Sequence, residues 1–447
     1  MMGKALLSLP ILLVSIAGCS SAEPPGVSHE TLCSTLWIGE AGGDSFVLRF
    51  NPPGSDRPGV IHCLNGGKMY SEVPMGSVSF EPPALEVNMP TGITYTGTVS
   101  PEGIRGEIGD MPLDLLPVEE EQVPGLAAYP LPYEYSAPED MNDGLGRGTL
   151  SVDAAERIVD RIASGEAGLI HSLLIWTDGV LVFEEYFHGY NGDDLHRLMS
   201  VTKSVASILT GIAIDEGFIS GVNHPLSAFV QELAGGITLE HLLTMSMGLN
   251  WTDSEAEELH LTGEELVHEL SGREQAVEPG TCFRYVNTDV NILSLILQRA
   301  TGLYPDRFAE EYLFNPLGVT RYEWSYGESG GHRLMDGSLH LRPRDMMKLG
   351  VLMVQEGEWN NSQVVSEEWV TSSVTPSLPV DNIFQYGYLW WITEWEGGRV
   401  WLASGWGSQF IAVLPDAGMV VVTTGGNDDN GKNWNVLRVV LEELAAL

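Results

Sequence analysis

The chain has 447 residues, 43% of them hydrophobic, and a mean hydropathy of +0.02. At about 150 residues per domain this is enough for two or three domains around a large core, which excludes a disordered or fibrous protein. Sixty-one Asp and Glu oppose 22 Lys and Arg, a formal charge of −39, and such a field repels phosphate backbones and excludes nucleic acid as a partner. It keeps the protein soluble and suits a salty medium that screens self-repulsion. Lysine is scarce: only Lys4, Lys68, Lys203, Lys348 and Lys432 occur.

At the N-terminus, Lys4 precedes an apolar run from Ala5 to Ile16. The run is too short for a permanent span but fits the apolar region of an export signal. It leads into Ile16-Ala17-Gly18-Cys19, which resembles a bacterial lipobox. Residues 1–18 are then a lipoprotein signal peptide, Cys19 the lipidated residue and 19–29 a tether. The expected location is the bacterial cell envelope, facing periplasm or exterior, with a lipid anchor holding a folded body to the membrane. A plain secretory signal with a chance cysteine would look similar. Export permits disulfides; Cys33 and Cys63 are candidates for one, leaving Cys282 as a small buried hydrophobe.

Residues 30–118 read as a small β-rich domain. Ser45–Phe50 and Ile93–Val99 alternate between Pro and Gly clusters. The Pro- and acid-rich stretch 119–145 reads as a linker. Helical periodicity starts after Ser151, a credible N-cap. Asp178-Gly179 between two apolar runs signals a hairpin. Residues from about 200 to 375 are mostly helical in pattern, strands return near 400–403, 409–414 and 419–423, and an amphipathic helix runs from Trp434. Strands at both ends around a helical insertion imply one α+β domain over 146–447.

Ser200-Val201-Thr202-Lys203 is the chain's only Ser-x-x-Lys. Val205, Ile208, Leu209 and Ile212 recur at helical spacing after it, so Ser200 falls at a helix start with Lys203 one turn on. A helix start offers amides suited to a developing oxyanion. A serine hydroxyl needs a base, and a lysine serves when burial favours its neutral form. An N-cap serine beside a surface lysine would give the same letters. About 85 residues on, Tyr285-Val286-Asn287 follows a Pro279-Gly280 turn and precedes an apolar helix; its tyrosine is a candidate proton carrier or a core ring. Ala403-Ser404-Gly405-Trp406-Gly407 lies on an apparent edge strand, where small residues admit a substrate's carbonyl or simply make a tight turn.

In this order the three elements resemble the penicillin-recognising serine hydrolases: class C β-lactamases, DD-peptidases and related esterases, with the 6-aminohexanoate-dimer hydrolase-like branch nearest in look. Leu242–Trp251, Leu341–Asp345 and Phe410–Asp416 fit as well. The resemblance spans about residues 146–447. It implies a β-lactamase/transpeptidase-like α+β fold, an antiparallel sheet flanked by helices with a mostly helical subdomain, here preceded by the small all-β domain. It implies Ser200 as the acylated nucleophile, Lys203 as its proton partner, Tyr285 as second proton carrier and Asn287 as an orienting group. The backbone amides of Ser200 and Trp406 would form the oxyanion hole, with Ala403, Ser404, Gly405 and Trp390 at the substrate. No cofactor is implied; the partner is a small ester or amide. One departure is visible: where relatives carry Lys-Thr-Gly or His-x-Gly, this chain has Ala403-Ser404-Gly405 or, two residues on, Gly405-Trp406-Gly407, and in either register the cation that holds a substrate carboxylate is missing. Weak or absent β-lactamase activity is the expectation.

The eleven histidines show no zinc spacing, and His260 and His268 read as solvated. Asp428-Asp429-Asn430-Gly431 lacks the closing Glu of a calcium loop and reads as a turn. Phe384–Trp391 is either pocket wall or core.

Overall fold

Short alternating runs become short strands in the computed structural model, which describes residues 27–445 except 56, 110, 130–132, 234–235, 252–260, 328–330 and 428–433. The expected signal peptide, Cys19, most of the expected tether, His260 and residues 428–431, expected as a turn, lie outside the described residues. After helix α1 (His29–Ser34), ten strands make two antiparallel five-stranded sheets. One holds β1 (Leu36–Ala41), β2 (Asp44–Phe50), β3 (Gly59–Asn65), β4 (Lys68–Pro74) and β10 (Leu116–Val118), in the order β10-β1-β2-β3-β4. The other is β5 (Ser77–Glu81), β6 (Ala84–Asn88), β7 (Thr94–Ser100), β8 (Gly103–Ile108) and β9 (Met111–Pro112), in sequence order. Trp37, Phe50, Ile61, Val87, Tyr95 and Ile104 fill the core they share.

The expected Cys33–Cys63 disulfide does not form: neither side chain is in a disulfide. The Cys33 Sγ–H donates to the Asn51 carbonyl at 3.2 Å, while Cys63 is committed to the interior of β3. Cys282 is exposed rather than buried, because the turn after Pro279-Gly280 carries it outward.

Nor is 119–145 a free linker. Tyr133 and Tyr129 donate their hydroxyls to the two oxygens of Glu185 at 2.6 and 3.1 Å, and Tyr135 donates to the Val182 carbonyl at 2.7 Å. The Leu145 carbonyl accepts from Trp176 Nε1 at 3.0 Å. Aromatic hydroxyls thus strap the segment to the body beneath it.

The body is built on an eight-stranded antiparallel sheet. α2 (Val152–Ala163), capped by the Ser151 hydroxyl, precedes β11 (Ile170–Thr177) and β12 (Val180–Tyr186). Asp178 and Gly179 join these at φ 53° and 84°, the left-handed pair that matches strand twist. α3 (Val201–Asp215), α4 (Ile292–Thr301) and α5 (Pro343–Val354) belong to the insertion. The chain then returns as β13 (Leu378–Pro379), β14 (Gln385–Tyr386), β15 (Trp391–Trp395), β16 (Gly398–Gly405), β17 (Gln409–Leu414) and β18 (Met419–Gly425), and closes with α6 (Asn435–Ala445). Strand order is β12-β11-β18-β17-β16-β15-β14-β13. One face packs α2 and α6 through Ile158, Ile162, Val436 and Val440; the other packs α3 and α5.

β16 is interior, not the edge strand the sequence suggested. Its pairing with β15 runs only from Gly398 to Leu402, so Ser404 and Gly405 extend beyond that neighbour.

The β3–β4 hairpin is seated on the body. A Cβ at Gly426 would overlap the Tyr70 carbonyl, so only glycine admits this approach. Beside the contact, Lys68 pairs with Asp194, and His171 and His196 lie buried at ring distances of 4.1 and 4.9 Å from Tyr190. Burial pushes His171 well down and His196 to about 4; His188 is lowered for the same reason.

Candidate active site

α3 is buried from Val201 to Ala213, so everything at its first turn is held by surrounding core. Met199 takes φ 50°, a left-handed conformation costly for a non-glycine, and turns the chain sharply into the helix at Ser200. The amides of Val201, Thr202 and Lys203 are spent on the carbonyls of Leu198, Met199 and Ser200 at 3.0–3.1 Å. An oxyanion donor from this end must therefore be the Ser200 amide itself. From the sheet side, Gly405 presses onto the same turn, where a Cβ would overlap the Leu198 carbonyl.

Lys203 is 1% exposed. Its Nζ reaches Ser200 Oγ at 2.9 Å, Asn287 Oδ1 at 2.7 Å and the Asp336 carbonyl at 2.6 Å. All three partners are neutral. As an ammonium the group donates to all three; as a neutral amine it donates to the two carbonyl oxygens and accepts the Ser200 proton. The Tyr285 ring lies 5.1 Å from Nζ and stacks at 5.7 Å on Trp391. Tyr386 beneath is fully buried, and burial raises its hydroxyl well above the phenol range with Tyr285 adding to the effect.

These groups open into a cavity of 680 Å³ that contains Ser200, Tyr285, Asn287, Ser404, Gly405 and Trp406. Met199, Trp391, Phe410 and Trp434 complete its wall, and among the described residues no charged side chain lines it. Gln409 shapes the Trp406 turn by donating to the carbonyls of Gly407 and Gly425 at 3.0 and 2.6 Å. A larger recess of 830 Å³ lies between Val354 and Pro415 but lacks the serine, lysine and tyrosine.

Seven expected residues thus converge: Ser200, Lys203, Tyr285, Asn287, Ser404, Gly405 and Trp406. Two do not. Ala403 is fully buried and packs with Trp401 into the core under α3; Trp390 is 1% exposed in the same core. The cavity wall is the next residue in each stretch, Ser404 and Trp391, since strand side chains alternate. Phe410, Trp434 and the Asp336 carbonyl were missed. The first two read as ordinary strand and helix aromatics, and a backbone acceptor leaves no trace in side-chain letters. Among the described residues no three His, Cys, Asp or Glu are grouped to hold a metal ion, and no helix is long and apolar enough to cross a membrane.

The fold is the β-lactamase/transpeptidase-like one, with a serine, lysine and tyrosine gathered at the first turn of a buried helix. Residues 160–440, well over half of the chain, match the family model described as Beta-lactamase, and the chain belongs to that family of serine hydrolases. The 6-aminohexanoate-dimer hydrolase of Paenarthrobacter ureafaciens is 24% identical over 322 residues, covering 64% of this chain and 80% of its own. A penicillin-binding protein from Bacillus halodurans superposes with a TM-score of 0.54 at 17% identity, over 66% of this chain and 99% of its own. EstCE1, a hydrolase with promiscuous acyltransferase activity, gives 0.54 at 16%, over 64% and 98%. The structural likenesses speak to fold.

Proposed function

We propose that the protein is an exported, lipid-anchored hydrolase that cleaves an ester or amide of a small substrate through an acyl-enzyme on Ser200, and that it is a poor β-lactamase. The observation that carries this reading is the Lys203 amine, hydrogen-bonded to Ser200 Oγ with two further neutral acceptors and no carboxylate. A neutral Lys203 takes the Ser200 proton as Oγ bonds to the substrate carbonyl carbon. The amides of Ser200 and Trp406 meet the oxyanion. Collapse expels the alcohol or amine, which leaves with a proton supplied through Lys203 or Tyr285. Water, deprotonated by the same pair, then attacks the ester; the acid departs and Ser200 recovers its proton. Asn287 keeps Lys203 in place.

The absence of a cation at Ala403-Ser404-Gly405, together with a wall that carries no charge among the described residues, supports a substrate lacking a carboxylate at this point, because a desolvated carboxylate with no counter-charge is costly. A relative named for 6-aminohexanoate-dimer hydrolysis supports amide as well as ester chemistry. Anchoring rests on the Cys19 motif; Cys19→Ser should release the protein from the membrane fraction.

Intact-mass spectrometry of the chain from residue 27, with a fluorophosphonate and with penicillin, tests the core claim. A single fluorophosphonate adduct on wild type, absent from Ser200→Ala, is expected. Penicillin labelling alongside it would favour a DD-peptidase. No adduct from either reagent on folded protein would leave a non-catalytic sensor. Rapid hydrolysis of a chromogenic cephalosporin would overturn the claim of poor β-lactamase activity.

A further inference from the structure

We infer that Asn291 is a positioning residue for Lys203, acting by holding the Asp336 carbonyl against its amine. Asn291 is 1% exposed. It stands at the N-cap of α4 yet does not cap that helix. Its Oδ1 accepts instead from two successive amides of a crossing segment, Met335 at 2.7 Å and Asp336 at 3.1 Å. With those amides pinned, the next carbonyl, that of Asp336, meets Lys203 Nζ at 2.6 Å. The segment is fixed on either side as well. Ser294, one turn along α4, accepts from the Arg333 amide at 2.9 Å, and the Gly337 carbonyl accepts from Arg197 Nε at 3.0 Å.

One stretch of chain therefore sets two of the three Lys203 partners: Asn287 directly, and Asn291 through Asp336. A side-chain amide suits this task. It offers a two-lone-pair acceptor without charge, whereas a carboxylate there would favour the ammonium form of Lys203 and oppose its use as a base. The titratable groups on the elements around Lys203 include Tyr285, the half-buried Asp336 carboxyl, Arg197 on the approach to Ser200, and Asp289, which accepts from Trp251 Nε1 at 2.8 Å; on the same segments Arg333 pairs with Asp306 at 2.7 Å, His332 meets Ser294 Oγ at 3.4 Å and Arg284 donates to the Leu249 carbonyl at 3.1 Å.

The catalytic consequence rests on the acyl-enzyme reading, but the positioning can be read without turnover. Lysine is scarce enough for ¹³Cε-lysine NMR to follow Lys203 in the full chain, its signal assigned by loss in Lys203→Met. In Asn291→Leu the ammonium loses a fixed acceptor, so its titration midpoint should fall; in Asn291→Asp the added charge should raise it. The acid limb of the pH–rate profile should move the same way. For an aryl ester, kcat of Asn291→Leu should drop on the order of 100-fold, with KM nearly unchanged. Unaltered Lys203 titration in both variants, folded by melting temperature, overturns the inference. Should Asn291→Leu not fold, Asn291→Ser replaces it with the same expected direction. A wild-type chain that takes no fluorophosphonate refutes the acyl-enzyme reading instead, while the NMR midpoints still decide the role of Asn291.

Discussion

Two lysines in this molecule share a spacing and differ in chemistry. Lys203 and Lys348 are both buried, the one in the first turn and the other in the second turn of a buried helix, and each bonds a side chain three residues earlier. Lys348 meets the fully buried carboxylate of Asp345 at 3.0 Å and the Gly318 carbonyl at 3.2 Å, and Asp345 is bound in turn by Arg342 Nε at 2.7 Å. Lys203 meets only neutral oxygens. A carboxylate partner fixes the ammonium and makes a structural ion pair; a hydroxyl partner lets the proton be exchanged. What sets Lys203 apart from Lys348 is the identity of the group at i−3, not burial.

Lys203→Met should lower turnover by more than about 10⁴-fold while the protein still melts cooperatively. Lys348→Met should do the reverse. Asp345 keeps only Arg342, so stability falls by about 3 kcal/mol, and turnover per folded molecule is retained. Loss of turnover in folded Lys348→Met would dissolve the distinction. Ser200→Asp sharpens it by giving Lys203 the Lys348 arrangement: turnover is lost, and the melting temperature rises by a few °C as the active site relaxes into an ion pair.

Acid should act first away from both lysines. His171, His188 and His196 are held neutral by burial, so the unfolded chain, with histidines near 6.5, takes up protons that the native state refuses. Their contribution is intact above about pH 6.5 and is lost as pH falls towards about 4, the value for His196. Denaturant midpoints between pH 7 and 4 should show this slope, and His196→Gln should flatten it. The smallest effect is at the pocket rim: Trp434→Ala, removing a 39% exposed ring, should raise KM for an apolar aryl ester about tenfold and leave kcat nearly unchanged.

The gathering of Ser200, Lys203, Tyr285 and Asn287 was legible in the sequence because its parts are local. Ser200 and Lys203 share one helical turn, and Tyr285 and Asn287 share one strand-like step before α4. The hairpin at Asp178-Gly179 was equally readable, since the turn pair alone fixes it. Long-range features were not. Ala403 and Trp390 were each one residue out of phase with the cavity, because strand phase depends on which face the rest of the sheet buries. Asn291 was not singled out in the sequence, and its use is visible only once the Met335–Asp336 segment crosses it. The tyrosine straps of 119–145 depend on Glu185 and Val182, some fifty residues away, so composition alone reads that segment as a linker.

The tight seat of the β3–β4 hairpin on Gly426 has a consequence for how the protein melts. Val47, Leu64 and Met69 share one buried cluster with Val123, Leu126 and Leu169, so the two small sheets cannot lift away without exposing apolar surface of the body. Calorimetry should register a single endotherm rather than two, and a chain cut at residue 118 should be less soluble than the whole. Although the sheets at residues 36–118 lie outside the candidate cavity, they are tied through Leu169 to the start of β11 in the central sheet.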